Sequence, residues 1–260
     1  MQTYGTALIT GASEGIGKCF SQVFAKQGHD LVLVARNAEK LEMLAAELTA
    51  SYPINVTTIP MDLIPHDAAE KLFFEVAKRE LQVDILLNNA GMMQVEPFCS
   101  SDPEKMNNLL HLNINALVNM TRLFSGPMLG RVKGKIINVG SIASFMPTPN
   151  FTVYGATKAF VLSFSEGLSQ ELKGSGVTVT CVCPGATETD MLAEADGMEK
   201  YIPGFLKADP MDLAEQSYKA AMKGDVVFLD SLANKAVVQW ATHYPRWFVR
   251  GVNGLFSRFG

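Results

Sequence analysis

The sequence predicts a single doubly wound α/β domain, a parallel sheet of about seven strands with helices on both faces. Three observations carry that expectation. Short β-rich apolar runs alternate with longer segments of helical period along the chain. A glycine-rich turn, Gly11 to Gly17, directly follows the first apolar run. At 260 residues, 48% hydrophobic and 18% charged, the chain can bury one sizeable core and suits one domain, 1–260, better than two small ones.

In chain order, Thr6–Thr10 reads as the first strand and Ile16–Lys26 as the helix that leaves the glycine turn. Leu31–Ala35 is a second strand and Ala38–Ala50 the helix after it; Val56–Met61 and Ala68–Lys78 repeat the pair. Strands at Ile85–Asn88, Lys135–Gly140 and Val177–Val182 are separated by the helix-period segments Lys105–Leu123 and Tyr154–Lys173, and a last strand falls at Val226–Leu229. Right-handed crossovers return each helix to the sheet. Ligands of such sheets bind at the carboxyl ends of the strands. The stretch 186–210 carries Gly197, Pro203, Gly204 and Pro210 amid apolar residues, and is expected to form a loop or short helices over a substrate pocket. Residues 231–260 form a C-terminal extension.

Composition excludes several classes of function. The 22 Lys and Arg against 26 Asp and Glu give a net charge of −4, so no basic surplus points to nucleic acid. Met1 to Gly17 runs straight into a strand and a turn without the basic and apolar regions of a signal peptide, and a cytoplasmic location is expected. No apolar run reaches the ~18 residues of a spanning helix. Cys19, Cys99, Cys181 and Cys183 are scattered or sit as C-x-C in an apolar strand, which predicts reduced thiols rather than a disulfide or zinc framework; no metal site is expected.

Two clusters carry chemistry. Gly11, Gly15 and Gly17 let the chain turn tightly between strand and helix and approach a pyrophosphate, whose charge the N-terminal amides of the helix would meet. Their spacing is G-x-x-x-G-x-G, and tight packing alone is the plainer alternative for such a turn, countered by its place after an apolar strand at the start of the chain. Tyr154 and Lys158 stand four apart, on one face of a helix, so an ammonium can sit beneath a phenol. That charge is expected to lower the pKa of Tyr154 and make it a usable general acid. Ser141, thirteen residues before Tyr154 at the tip of a strand, can hydrogen-bond a carbonyl oxygen.

The glycine turn, Asn88-Asn89-Ala90-Gly91, Ser141, Tyr154-Gly155-Ala156-Thr157-Lys158 and the Pro184-Gly185 turn occur in one order over roughly residues 5 to 190, and together they resemble the short-chain dehydrogenase/reductase family. The resemblance is to the branch holding 17-beta-hydroxysteroid dehydrogenases and 3-ketoacyl reductases. It implies a Rossmann-type fold and hydride transfer between a nicotinamide cofactor and a carbonyl or secondary alcohol. Ser141, Tyr154, Lys158 and Asn113 would be the catalytic residues, with Asn115 a neighbouring candidate for the last place. The cofactor would contact Gly11, Ser13, Glu14, Gly15, Ile16 and Gly17, then Arg36 and Asn37, then Asp62 and Leu63 near the adenine. Asn89, Ala90, Gly91, Tyr154, Lys158, Pro184, Gly185, Thr187 and Thr189 would complete the site, and Asp84 would tie down local backbone. A homodimer or homotetramer is implied as well. A non-catalytic dinucleotide sensor on the same fold is the alternative, although a sensor needs no matched acid and ammonium.

NADP(H) is expected over NAD(H), because Ala35 stands where an NAD enzyme carries an acid and Arg36 follows it. Glu14 departs from this, since many NADP enzymes of the family carry Lys or Arg there. Met92, Met93, Phe145, Met146, Phe151, Met191, Met198 and Phe205 suggest a pocket for an apolar ketone or aldehyde. Acyl thioester, steroid and xenobiotic ketone all stay open. Trp240 to Phe259 mixes aromatic residues with Arg246, Arg250 and Arg258 and has no acid. Packing over the substrate mouth or a partner subunit is the expectation; an amphipathic segment on an anionic membrane is the alternative.

Overall fold

A computed structural model describes residues 5–187 and 207–256. Its main sheet has seven strands, all parallel: β1 (Thr6–Thr10), β2 (Asp30–Ala35), β3 (Val56–Pro60), β4 (Val83–Asn88), β5 (Gly134–Val139), β6 (Val177–Cys183) and, at the far edge, β9 (Val227–Leu229). Their order is β3-β2-β1-β4-β5-β6-β9. A two-residue parallel pair, β7 (Ala186–Thr187) with β8 (Lys207–Ala208), lies apart from the sheet and joins the two ends of the stretch expected to be a loop. Residues 188–206 of that stretch lie outside the described residues.

Alternation along each strand splits the core into two layers. Ala7, Ile9, Leu31 and Leu33 face the helices α1 (Gly15–Lys26), α2 (Ala38–Ser51) and α7 (Pro210–Lys223), packing on Phe20, Phe24, Leu41, Leu48 and Leu213. Leu8, Val32, Val34 and Leu86 face the other way, against α3 (Ala68–Lys78) and α5 (Leu117–Gly130) through Leu72, Val76, Met120, Phe124 and Met128. Strands buried on both faces read as continuous apolar runs, which is why they were visible in the sequence. The chain order reverses between β1 and β4, and the crevice at their carboxyl ends is the binding position of such sheets.

One region differs from the sequence expectation and another adds to it. The segment expected as one helix at Lys105–Leu123 is α4 (Pro103–Leu110) running into α5 through a single π-helical turn, His111–Ala116. The C-terminal region contains α7, capped by Asp209 with Pro210 in its first turn and closed by Gly224 at φ 87°, followed by α8 (Leu232–His243) and α9 (Arg246–Phe256). The remaining long helix is α6 (Thr152–Glu171).

Candidate active site

At the β1 end, the backbone makes the site. Gly11 and Gly15 take φ of 65° and 52°, a region that disfavours side chains. A Cβ on Gly17 would lie 2.0 Å from the Gly11 carbonyl oxygen, so only glycine lets α1 start this close to the turn. Asn89 Nδ2 donates to the carbonyls of Thr10 (2.9 Å) and Gly11 (3.1 Å), pinning the turn from β4. Thr10 Oγ1 accepts the amides of Asn89 and Ala90, both at 3.0 Å. Glu14, at the N-cap of α1, makes no side-chain cap, which leaves the first amides of that helix for an anion. Ser13 and Ile16 flank this opening in sequence. The bare backbone and uncapped helix start fit a pyrophosphate, so the residues present fit a dinucleotide.

At the end of β2, Arg36 is exposed and makes no hydrogen bond or ion pair with another described residue. Asn37 caps α2 by accepting the Lys40 amide at 3.0 Å. Lys40 pairs with Glu14, so the acid that departs from the family pattern is neutralised by a cation from α2. Asp62 is exposed and accepts the Ile64 amide at 3.0 Å, while Leu63 is buried beside Ala90. Asp84 accepts the Thr6 amide at 3.1 Å and so does hold local backbone.

At the β5 and β6 ends, side chains make the site. Ser141 follows β5 and caps a short 3₁₀ turn, Ile142–Phe145, by accepting the Ala143 amide at 3.1 Å. Its hydroxyl faces the Tyr154 phenol and favours the ionised form of that group. Lys158, 7% exposed, donates from Nζ to the Val139 carbonyl at 2.8 Å and lies 5.7 Å from the centre of the Tyr154 ring. Asn113, in the π-helical turn, is buried. It accepts the Met92 amide at 2.8 Å, donates to the Met92 carbonyl at 2.9 Å and donates to Thr157 Oγ1 at 3.1 Å. The wide turn moves Asn113 out of the ordinary helical register, a device common at functional sites. Asn115 instead contacts His111 on the exposed side, which separates the two candidates. Gly91 stands between these groups, with a Cβ position 3.3 Å from Asn113 Oδ1 and 3.7 Å from Lys158 Nζ.

The electrostatics correct one expectation. Burial pushes the Tyr154 phenol above its ordinary value, and the Ser141 hydroxyl only partly opposes it. Burial also lowers Lys158 to about 8, and its Nζ is directed to the Val139 carbonyl, so burial rather than the lysine's charge sets the direction in which the phenol shifts.

Several supports escaped the sequence reading. Ser144 Oγ accepts the Ser141 amide at 3.3 Å and donates to the Lys158 carbonyl at 2.8 Å, linking the strand tip to α6. Gly140 is wedged between thiols, its Cβ position 3.0 Å from Cys181 Sγ and 3.1 Å from Cys183 Sγ. All four cysteines are free. After β6, the Pro184-Gly185 turn is held from α8: Gly185 donates to Asp230 at 3.4 Å, and Asp230 accepts from Asn234 Nδ2 at 2.7 Å. Thr187 Oγ1 donates to the Gly185 carbonyl at 3.3 Å. Thr189, Met191, Met198 and Phe205 lie outside the described residues. Of the expected pocket residues, Phe151 stands 6.4 Å from the Tyr154 ring, whereas Phe145 packs on the Leu117, Val161 and Leu162 cluster.

The short chain dehydrogenase family profile matches residues 5–200. Human 17-beta-hydroxysteroid dehydrogenase type 3 is 37% identical over 187 residues, 71% of this chain and 60% of that protein. The very-long-chain 3-oxoacyl-CoA reductase-A of Danio rerio is 35% identical over 189 residues, 71% of this chain and 59% of its own length. The match thus spans about three fifths of these curated relatives. Among solved structures, a short-chain dehydrogenase from Sphingobium yanoikuyae in complex with NADPH has a TM-score of 0.82 and 33% identity, covering 91% of this chain and 93% of that one. With its parallel sheet, glycine turn and Ser141-Tyr154-Lys158 cluster, this chain belongs to the short chain dehydrogenase family.

Proposed function

We propose that this chain is an NADPH-dependent carbonyl reductase, able to run as an alcohol dehydrogenase, acting on an apolar ketone or acyl-type substrate. The observation that carries the reading is the gathering of Ser141, Tyr154 and Lys158 at the carboxyl end of β5, with Lys158 Nζ 5.7 Å from the centre of the Tyr154 ring and the Ser141 hydroxyl facing the phenol. Gly11, Gly15, Gly17 and the start of α1 would hold the pyrophosphate, and Arg36 with neighbouring Lys40 would receive a 2'-phosphate. NADPH, when bound, supplies the hydride. Ser141 Oγ orients the carbonyl oxygen, and Tyr154 Oη delivers its proton to that oxygen. A phenol raised by burial is protonated at neutral pH and ready to donate. The Ser141 hydroxyl then favours the phenolate that remains. Asn113 and Ser144 position Met92 and Lys158 around this centre.

The named relatives, a hydroxysteroid dehydrogenase and 3-oxoacyl-CoA reductases, support a bulky apolar substrate. A homodimer or homotetramer in the cytoplasm belongs to the same proposal; the stacked pair Phe160 and Phe164 on α6, ring centres 5.9 Å apart with Phe160 40% exposed, supports a second copy there. NADPH oxidation against a panel of steroid ketones, 3-oxoacyl thioesters and aryl ketones tests the function. Turnover of at least one class, lost in Tyr154→Phe, is expected. Tight NADPH binding without turnover of any of them would favour the dinucleotide sensor.

A further inference from the structure

Charge is divided unevenly along this chain. All 26 acids and 18 of the 22 Lys and Arg precede residue 231, so residues 1–230 carry −8 and residues 231–260 carry +4. The same segment displays apolar surface. In α9, Val249 is 1% exposed against the body and Asn253 Nδ2 donates to the Pro147 carbonyl at 2.8 Å, which fixes the helix beside the Ser141–Tyr154 stretch. Trp247 (68%), Leu255 (56%) and Phe248 (38%) remain open to solvent, as does Tyr244 (52%) just before the helix. Trp240, Tyr244, Phe248 and Trp247 form a run of ring contacts at 5.7 to 6.2 Å, flanked by exposed Arg246 and Arg250.

The apolar arc of α9 is therefore wider than the part the protein covers. We infer that its outward face, with Tyr244, docks on an anionic lipid bilayer. Trp and Tyr side chains suit the boundary between acyl chains and headgroups, and arginines without acids suit anionic headgroups. A symmetric contact between two copies would place this patch against itself, bringing Arg246 and Arg250 of both together with no acid from the segment to pair them. Charge thus favours the lipid over a second copy. Sited next to Pro147, the docked helix would set the mouth of the site at the membrane, where apolar substrates collect; this consequence rests on the proposed function, the docking itself does not.

Both tryptophans of the chain, Trp240 and Trp247, lie in the patch, so intrinsic fluorescence reports on it directly. The full chain should co-sediment with vesicles of phosphatidylcholine and phosphatidylserine, with a blue-shifted emission that salt reverses, and should leave pure phosphatidylcholine vesicles largely unbound. Arg246→Gln and Arg250→Gln should each lower partitioning about fivefold. Trp247→Ala with Leu255→Ala should remove it while circular dichroism stays unchanged, since both side chains are exposed. Three outcomes would overturn the inference. They are no binding to the anionic vesicles, binding indifferent to lipid charge and to both arginines, or a vesicle-free blue shift that accompanies a doubled mass in light scattering and is lost with Trp247→Ala and Leu255→Ala. Because no turnover is read, failure of the reductase proposal would leave this result standing.

Discussion

The two ends of the crevice are built by different means. Around β1 and α1 the chain supplies bare backbone: positive φ at Gly11 and Gly15, and an approach at Gly17 that no Cβ could enter. Around β5, β6 and α6 it supplies a web of side chains, in which Ser144, Asn113 and Thr157 fix the backbone that presents Ser141, Met92 and Lys158. A backbone site is insensitive to which polar side chains surround it but intolerant of added atoms. A side-chain site reverses that sensitivity. Substitutions at the two ends should therefore fail differently, one in cofactor binding and fold stability, the other in turnover.

The largest effect belongs to the reacting end. Tyr154→Phe removes the proposed proton donor and leaves the ring, and should lower turnover by about two to four orders of magnitude on the best substrate. Steady-state kinetics with saturating NADPH measure it. At the other end, Gly17→Ala should destabilise the protein by roughly 1–3 kcal/mol, the usual range for overpacking, because its Cβ meets a carbonyl oxygen rather than a flexible side chain. Urea unfolding and NADPH titration should show both stability and cofactor affinity falling together; full affinity in a stable protein would break the contrast.

Arg36→Ala sharpens the comparison within the cofactor end. A guanidinium on a phosphate is a charge-assisted pair, so wild type should prefer NADPH over NADH by about ten- to a hundredfold, and the variant should lose most of that gap. The ratio of kcat/KM for the two cofactors, at fixed ionic strength, is the measurement. Lys40→Ala should widen the loss, since it also frees the charge of Glu14. A ratio unmoved by Arg36→Ala would leave the arginine a solvated turn residue.

The smallest effect is in pH. Lys158 titrates at about 8 in the folded protein against 10.5 for an ordinary lysine, because burial disfavours the ammonium. The unfolded chain binds the extra proton between those values, so stability should rise with pH through that window, at no more than about 1.4 kcal/mol per pH unit. Lys158→Met lacks this dependence. Chemical unfolding of the cofactor-free proteins from pH 7 to 10.5 should show wild type gaining on the variant; parallel curves would mean that Lys158 stays charged.

How much of this was legible in the sequence follows from the same division. Strands buried on both faces announce themselves as apolar runs, and β1 and α3 fall where periodicity put them. The glycine turn and the Tyr154–Lys158 spacing are local patterns, so they too could be read. The π-helical turn at Asn113 could not, because six residues of wider pitch do not disturb the apolar rhythm that marks the helix around them. Lys40 on Glu14, Ser144 on the Lys158 carbonyl and Asp230 behind Gly185 join segments distant in the chain or folded back on it, and no spacing rule reports such pairs. α7 did leave a signal, Asp209-Pro210 at its start and Gly224 at its end. The upward shift of Tyr154 is not legible in the i, i+4 pattern, which shows a nearby cation but not how far the half-buried phenol and the buried Lys158 are withdrawn from water.

Separation of the two ends is tested most directly by titrating NADPH into Tyr154→Phe beside the wild-type protein, following binding itself and not turnover. If backbone at β1 and α1 holds the cofactor while the β5–β6 side chains act on the substrate, both proteins will give the same dissociation constant although the variant is inactive. A dissociation constant weakened in step with the loss of turnover would contradict that division and make Tyr154 part of the cofactor cradle.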